Sequence, residues 1–200
     1  MPFKFFRFKQ KPRLFLSFLK PKPVSREKLN AFWERCAANA QIGKQISEAS
    51  EQKVVPITRS VLGTVRIFDS GKSAREYVKR TRNFVSQINS EKPERFAVMP
   101  VQILDIRDNR VLERVYLAPS LRTISSDFRN RYTKLFFSRM RAKGANLEEA
   151  RNDIGSAYLE FIKIEGKRNL NFDSAEGNIL VLDYDPKSRR CLFGLVDAFE

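Results

Sequence analysis

The side chains best suited to chemistry in this sequence are carboxylates near its C-terminal end. Asp183 and Asp185 stand two residues apart on or beside a predicted strand, a spacing that turns both side chains to the same side. Such a pair could bind a divalent cation, although oxygen-ligand sites use more donors than two carboxylates supply. Asp173, Glu176 and Asp197 are the other acids considered in this region. The run Tyr184-Asp185-Pro186 is equally typical of a turn, so the sequence leaves a metal site and a structural turn open.

Most nucleophilic and metal chemistry is excluded by what the chain lacks. It contains no histidine, which rules out imidazole metal sites and catalytic dyads or triads with a histidine base. Cys36 and Cys191 are the two cysteines and form no CxxC pair, so we predict that both are packing residues. We therefore expect no catalytic residue, no metal and no cofactor. We also expect a reducing compartment, whether cytoplasm, an organelle interior or a particle interior.

A Gly-Lys-Ser run at residues 71–73 invites comparison with a phosphate-binding loop. That loop requires a further glycine, with four residues between it and the Gly-Lys pair, and Arg66 occupies this position. We therefore reject the loop and predict that Ser73 caps a helix of residues 74–88. The exposed face of this helix would carry Arg75, Lys79, Arg80 and Arg82, of which Lys79, Arg80 and Arg82 are predicted to bind a polyanion.

Residues 121–144 combine an apolar face and a basic face along one predicted helix. Ser120 is expected as its N-cap, and Gly144 as the residue that follows its last turn. Apolar residues recur there at steps of three and four, which predicts a buried face. They are Leu121, Ile124, Phe128, Tyr132, Leu135, Phe136 and Met140. The other positions carry one acid, Asp127, and seven cations, a balance of +6. The cations are Arg122, Arg129, Arg131, Lys134, Arg139, Arg141 and Lys143.

This concentration of positive charge predicts a negatively charged neighbour. The neighbour could be external, such as nucleic acid or an acidic protein complex. It could also be internal, because the chain carries +15 overall while residues 145–200 carry −4 and could fold against the basic helix. The same asymmetry would allow self-association, with the acidic part of one copy against the basic part of another. A solvated face, whose last cations interact with the helix dipole, is the remaining interpretation.

The first 24 residues are predicted to form an extended arm. Residues 2–23 contain no acid, their prolines favour extended backbone, and their longest uncharged run is too short to span a membrane. We favour an arm that threads into a larger assembly. The alternatives are an arm that docks on the chain's own domain, one that contacts an anionic membrane at its surface, and an organelle-targeting segment. Its candidate anchors are Phe3, Phe5, Phe6, Phe8, Phe15 and Phe18. Its candidate polyanion-binding cations are Lys4, Arg7, Lys9, Lys11 and Arg13.

The remaining pattern predicts an α+β fold in which two antiparallel hairpins, in one sheet, pack against three or four helices. One hairpin joins residues 96–106 to residues 111–117, and the other joins residues 178–184 to residues 190–199. The β-branched content of residues 54–69 is also typical of strands.

Two further helices complete the predicted fold. Ser25 opens the first, which decays into a polar linker at residues 47–53. Asn146 caps the second, which ends near Gly166. The predicted organisation is an arm at 1–24, a helix and linker at 25–53, and an α+β domain at 54–200.

Together these observations favour a non-catalytic structural or assembly component of a large complex. Its partner would be RNA or DNA, as in a ribonucleoprotein or virion, bound through the arm and the basic helices. In the alternative hypothesis the chain links acidic protein subunits or anchors them at an anionic membrane surface. An enzyme with a carboxylate-bound metal is the third hypothesis.

Overall fold

The computed structural model describes residues 25–38, 51–58, 61–100, 102–116 and 118–195, and within them the chain is an α+β fold with two β-sheets. The helices are α1 (Arg26–Ala38), α2 (Gly71–Ser90), α3 (Leu121–Ser126), α4 (Arg131–Ala142) and α5 (Leu147–Arg168). The strands are β1 (Glu51–Thr58), β2 (Val61–Ile67), β3 (Phe96–Pro100), β4 (Gln102–Arg107), β5 (Arg110–Tyr116), β6 (Ile179–Asp185) and β7 (Arg190–Leu195). The predicted arm, with its phenylalanine anchors and cations, lies outside the described residues. Among the helices of the described ranges, none is long and apolar enough to cross a membrane.

The first sheet has four antiparallel strands in the order β1-β2-β5-β4. Its β4–β5 hairpin turns at Asp108 and Asn109, as predicted, and the Asn109 carbonyl oxygen accepts the N–H of Phe68 at 2.8 Å. The single strand predicted for residues 96–106 is instead two strands in different sheets. Pro100, which has no N–H to donate to a ladder, is the last residue of β3.

The second sheet has three strands in the order β3-β7-β6. Strands β6 and β7 form the predicted C-terminal hairpin, whereas β3 pairs with β7 in parallel, with Phe96 opposite Cys191. The prediction that both hairpins share one sheet is therefore wrong. Each hairpin is instead completed by a strand from earlier in the chain, since β2 occupies the second edge of β5 and β3 occupies the second edge of β7.

Helix α1 packs on the four-stranded sheet. The Ser25 side chain accepts an N–H of the first turn at 3.4 Å, as expected for the residue that opens this helix. Trp33 is buried against Val65 and Leu112, and its indole N–H donates to Asp105 at 2.9 Å. Strand β1 begins inside the segment predicted as linker. The proposed division of the chain into three segments stays a prediction.

Helix α2 contacts both sheets with its two halves. Ala74 and Tyr77, near its start, pack with Val111 of the four-stranded sheet. Phe84 and Ile88, near its end, lie in the core beside the three-stranded sheet. The exposed face predicted for this helix is therefore correct, since Arg75, Lys79, Arg80 and Arg82 are all exposed on the side opposite these contacts.

The N-cap of α2 is Ser70, and the prediction that Ser73 caps this helix is wrong. The Ser70 side chain accepts the backbone N–H of Ser73 at 3.1 Å, so Ser73 already belongs to the first turn. A Cβ on Gly71 would lie 2.9 Å from the carbonyl oxygen of Asp108. The glycine of the Gly-Lys-Ser run therefore permits close packing against the β4–β5 turn.

The long basic helix predicted after Ser120 is two helices, α3 and α4. The Asp127 side chain accepts the N–H groups of Arg129 and Asn130 at 3.0 and 3.1 Å, and the Asn130 side chain caps α4. These local hydrogen bonds satisfy the backbone without continuing the helix. Ser120 does cap α3, and Gly144 follows α4 with a φ of +76°, so both predicted ends are correct.

The main core lies between the three-stranded sheet and helices α2 to α5. As predicted, Asn146 caps α5, which extends two residues beyond Gly166 to Arg168. Phe161 of α5 meets the rings of neighbouring core phenylalanines edge-on. Cys191 is fully buried in this core and burial raises the pKa of its thiol well above the ordinary value, which agrees with its prediction as a packing residue. The side chain of Cys36 lies outside the described part of the chain.

Candidate functional site

The candidate site is the outer surface of α4, whose orientation is fixed by its inner side. Thr133, Phe136, Phe137 and Met140 are buried, and they recur at the helical period. The period therefore turns the remaining positions of α4 outward. The exposed cations of this helix are Arg131, Lys134, Arg139 and Arg141.

The exposed cations of α3, α4 and the turn between them have no carboxylate partner within the described residues. All of them were predicted from the sequence as polyanion-binding residues. They are Arg122, Arg129, Arg131, Lys134, Arg139 and Arg141. Their charge is therefore directed at solvent, where it produces a positive potential.

Lys143, the seventh cation predicted for this surface, turns inward instead. Its ammonium group donates to the Asp183 carboxylate at 2.5 Å and to the Tyr184 carbonyl oxygen at 3.2 Å. The Asp183 side chain is 4% exposed and the Lys143 side chain is 27% exposed. The expectation that Lys143 lies on the exposed basic face is wrong, because a buried carboxylate of β6 stands within its reach.

Other described acids of the C-terminal part are used away from this basic surface. Asp153 pairs with Arg189 at 2.7 Å. Glu160 accepts two backbone N–H groups at 3.0 Å, and Asp173 accepts one at 3.0 Å. For the six exposed cations of α3, α4 and their turn, the hypothesis of internal neutralisation therefore has no support among the described residues.

Helix α2 carries a second cationic surface. Lys72, Arg75, Lys79 and Arg82 are exposed and recur at steps of three and four residues, which aligns them along one side of the helix. None of these four side chains forms an ion pair with a described carboxylate. Arg80, which was also predicted to bind a polyanion, is exposed too, but it interacts with another group of the protein.

Three large apolar side chains beside the α3–α4 cations are exposed, although the sequence predicted that they are buried. The exposed fraction is 45% for Phe128, 37% for Tyr132 and 52% for Leu135. The turn between α3 and α4 changes the direction in which α4 faces, so that Thr133 and Phe137 enter the core. The buried face predicted for residues 121–144 is correct for Leu121, Ile124, Phe136 and Met140. It is wrong for the other three residues, because the periodicity was extended across this turn.

Phe128 also borders a cleft of about 230 Å³ between α3 and α5. The guanidinium of Arg151 lies 3.9 Å from the centroid of the Phe128 ring. The Tyr158 hydroxyl donates to the Ser174 carbonyl oxygen at 2.9 Å, and burial, followed by nearby acids, raises the pKa of Tyr158. Other lining residues are Leu121, Ile124, Ile154, Gly155 and Glu176. Sequence reasoning did not find this cleft, since its walls come from segments that are distant along the chain.

The carboxylates considered for metal binding make structural contacts. Asp185 accepts hydrogen bonds from the N–H groups of Lys187 and Ser188 and from the Ser188 hydroxyl. These are the contacts of a turn, as the turn interpretation of Tyr184-Asp185-Pro186 predicted. Asp183 is paired with Lys143, and Asp197 lies outside the described residues. Across the described ranges, no group of three or more acidic or cysteine side chains is placed to hold a metal ion.

A second cleft of about 640 Å³ is bordered by a hydrogen-bond network around the buried Asp153, which the sequence did not predict. The Tyr184 hydroxyl donates to Asp153, which also accepts hydrogen bonds from Nε and Nη2 of Arg189. Burial opposes the charge on Asp153, but the hydrogen bonds from Arg189 and Tyr184 outweigh it and lower the pKa of Asp153. Arg190 donates to the Phe96 carbonyl oxygen at 2.9 Å. Arg189 and Arg190, two of the three arginines that line this cleft, are therefore engaged by the protein itself.

No protein-family model, curated protein or solved structure matches this chain. The features that indicate a function are therefore the two exposed cationic surfaces and the exposed apolar residues that lie beside one of them.

Proposed function

We propose that this chain is a non-catalytic structural component of a larger assembly and that it binds nucleic acid through the outer surfaces of α4 and α2. The observation that carries the proposal is the set of exposed arginines and lysines without carboxylate partners in the described part of the chain. A phosphate backbone supplies the missing negative charge, and its condensed counterions are released on binding.

The spacing of the cations on α2 suits a phosphate backbone. Lys72 and Arg82 are ten residues apart, which corresponds to roughly 15 Å along a helix. One strand of duplex DNA carries a phosphate about every 3.4 Å along its axis. Four cations in line over this length can therefore face several successive phosphates.

The exposed apolar side chains next to α4 favour nucleic acid over a membrane. A helix that lies in a membrane interface buries its apolar side in lipid. Most of the apolar side of α4 is not available for this, because Phe136 and Met140 are in the protein core at 0% and 1% exposure; the exposed apolar residues of this helix are Tyr132 and Leu135. Exposed rings such as Phe128 and Tyr132, set among cations, are instead suited to contact with bases.

Two observations support a non-catalytic role: the chain lacks histidine, and its candidate catalytic carboxylates make structural contacts. There is no histidine to act as a base near neutral pH. Asp183 and Asp185, the best carboxylate candidates, are held by Lys143 and by a turn. The predicted arm would add further cations to the same partner and stays part of the proposal.

The test is the binding of mixed RNA and DNA pools by the purified full chain, measured by fluorescence anisotropy over a series of salt concentrations. Arg131→Gln/Lys134→Gln removes two cations from the α4 surface. Lys163→Gln/Lys187→Gln removes the same charge at exposed positions outside it and serves as the matched control. If two phosphate contacts are lost, the negative slope of log affinity against log salt concentration on duplex DNA should become shallower by about 1.8 for Arg131→Gln/Lys134→Gln. The control should keep the slope of the unmodified chain.

Three results would overturn this proposal. One is the absence of affinity for either pool at low salt. The second is an equal loss of affinity in both double variants, which would show that binding depends on the net charge of the chain and not on the α4 surface. The third is tighter binding to an acidic polypeptide such as polyglutamate than to nucleic acid at the same salt concentration, which would favour an acidic protein partner.

A further inference from the structure

We propose that the cleft between α3 and α5, bordered by Phe128, Arg151 and Tyr158, binds an unpaired nucleobase, which makes single-stranded nucleic acid the ligand of this protein. The inference rests on the proposed function and adds the class of nucleic acid. It follows from the lining of the cleft, the way its aromatic wall is held, and the glycine at one side.

The lining of the cleft matches the chemistry of a base, which has apolar faces and polar edges. Its apolar part is formed by core side chains, with Ile124 4% and Ile154 1% exposed. Phe128 and Tyr158 add aromatic rings, and Glu176 adds a carboxylate that can accept N–H groups from a base edge. The cleft therefore offers both stacking surfaces and an acceptor.

The ring of Phe128 is held in place although it is nearly half exposed. The Arg151 guanidinium lies 3.9 Å from its centroid and 5.1 Å from the centroid of Phe137, which is in the core. One face of the Phe128 ring is thus covered by a cation, and the side chain keeps 45% exposure through which a planar partner can reach it. A fixed ring loses little conformational freedom when a base stacks on it.

Gly155 contributes to the cleft by lacking a side chain. It lies in the interior of α5, where glycine is a poorer helix former than alanine. A Cβ added at Gly155 would have no atom within 4 Å, so packing within the protein does not require glycine there. Because Gly155 lines the cleft, a side chain at this position would occupy the space that we assign to the base.

The rim of the cleft carries the charge that flanking phosphates need. The backbone N–H of Arg122 donates to the Glu176 carbonyl oxygen at 3.3 Å, so this exposed arginine adjoins two residues that line the cleft, Leu121 and Glu176. Arg129 follows Phe128 directly in the chain and is exposed. Neither arginine has a carboxylate partner among the described residues. A base in the cleft would therefore have cations next to its own backbone.

The experiment compares a single-stranded oligonucleotide of mixed sequence with its own duplex, using anisotropy titrations of the full chain. Gly155→Leu fills the cleft, and Gly166→Leu is the matched control, because Gly166 lies in the same helix with no atom within 4 Å of an added Cβ. Phe128→Ala removes the stacking wall. We expect Gly155→Leu and Phe128→Ala to weaken single-strand binding roughly 5- to 150-fold, the range for loss of one stacked base. Duplex affinity should stay within about twofold, and Gly166→Leu should change neither affinity.

The outcomes separate this inference from the proposed function. If all variants bind single strands as the unmodified chain does, while the steep salt dependence persists, the cleft is not a base site and the proposed function still stands. If nucleic acid is not bound at all, both proposals fall. Melting curves of each variant control for folding, and because an added Cβ at Gly155 meets no neighbour, Gly155→Leu should keep the melting temperature of the unmodified chain even if Phe128→Ala does not.

Discussion

Replacing Lys143 by methionine tests the ion pair that takes this residue away from the basic surface. The substitution removes the ammonium group and keeps an unbranched side chain of similar length. Asp183, whose side chain is 4% exposed, would then lose its charged partner. Its second oxygen, Oδ2, is buried and already has no hydrogen-bond partner, so the carboxylate would have nothing to compensate for the loss.

The exposure of the two side chains sets the expected magnitude. Removing one partner from a fully buried ion pair costs about 3–5 kcal/mol. Exposed pairs contribute about 0–1 kcal/mol. The Lys143 side chain is 27% exposed, so solvent screens part of the interaction. We expect Lys143→Met to lower the free energy of unfolding by about 2–3 kcal/mol, between these limits. For a chain of this size, each kcal/mol corresponds to roughly 2–4 °C in Tm.

The assay is urea denaturation followed by circular dichroism, with Lys134→Met as the matched control. Lys134 is exposed on the same helix and has no ion pair among the described residues, so its substitution should change the free energy of unfolding by less than about 0.5 kcal/mol. Binding to nucleic acid should show the opposite order, because Lys134→Met removes a surface cation and Lys143→Met does not. The reasoning is refuted if Lys143→Met leaves stability unchanged and reduces the salt slope as much as Lys134→Met does.

Three further outcomes follow from the buried contacts. Burial opposes the charge of Asp153, but the hydrogen bonds from Arg189 and Tyr184 outweigh burial and lower the pKa of this carboxyl group in the folded state. The ionised Asp153 therefore stabilises the fold at pH values above its unfolded pKa of about 3.9, and this stabilisation is lost as the pH falls through its lower folded pKa. Asp153→Asn should flatten the acid side of a plot of urea midpoint against pH, and an unchanged slope would contradict this. Because Cys191 is buried, Cys191→Ala should not change the number of thiols that react with a thiol-reactive dye in the native protein. In denaturant, the variant should have one reactive thiol fewer than the unmodified chain. Gly71→Ala, whose Cβ would meet Asp108, should cost about 1–3 kcal/mol in thermal unfolding, and a neutral result would remove the packing role of this glycine.

Local signals in the sequence predicted the parts of the fold that local chemistry determines. Ser120 and Asn146 cap their helices and Gly144 ends one, because capping depends on a side chain and the few N–H groups next to it. Ser73 was a wrong choice because Ser70 has the same chemistry three residues earlier. The α+β class and the turns of both hairpins were correct for the same local reasons, although only β4 of the strand predicted for residues 96–106 belongs to the first hairpin.

The features that the sequence did not reveal depend on contacts between distant segments. The sequence of a hairpin does not show which sheet the hairpin joins, because that depends on which other strands pair with its free edges. Lys143 looks like any other cation of its helix until β6 places Asp183 beside it. Phe128 is an exception, because it was assigned to the core when a local feature, the turn at Asp127, was not recognised; that error hid the candidate site. Gly155 gives no sequence signal of a cleft, because the opposite wall comes from α3.

The parallel pairing of β3 with β7 has a kinetic consequence for the nascent chain. Phe96 and Cys191 lie opposite each other although they are separated by roughly half of the chain, so closing this pair has a high entropic cost and should slow folding. During synthesis β3 leaves the ribosome long before β7 does. Until β7 follows, apolar residues of β3 such as Val98 have an open strand edge and no sheet to complete, which exposes the half-made protein to chaperones and to misassembly with other nascent chains.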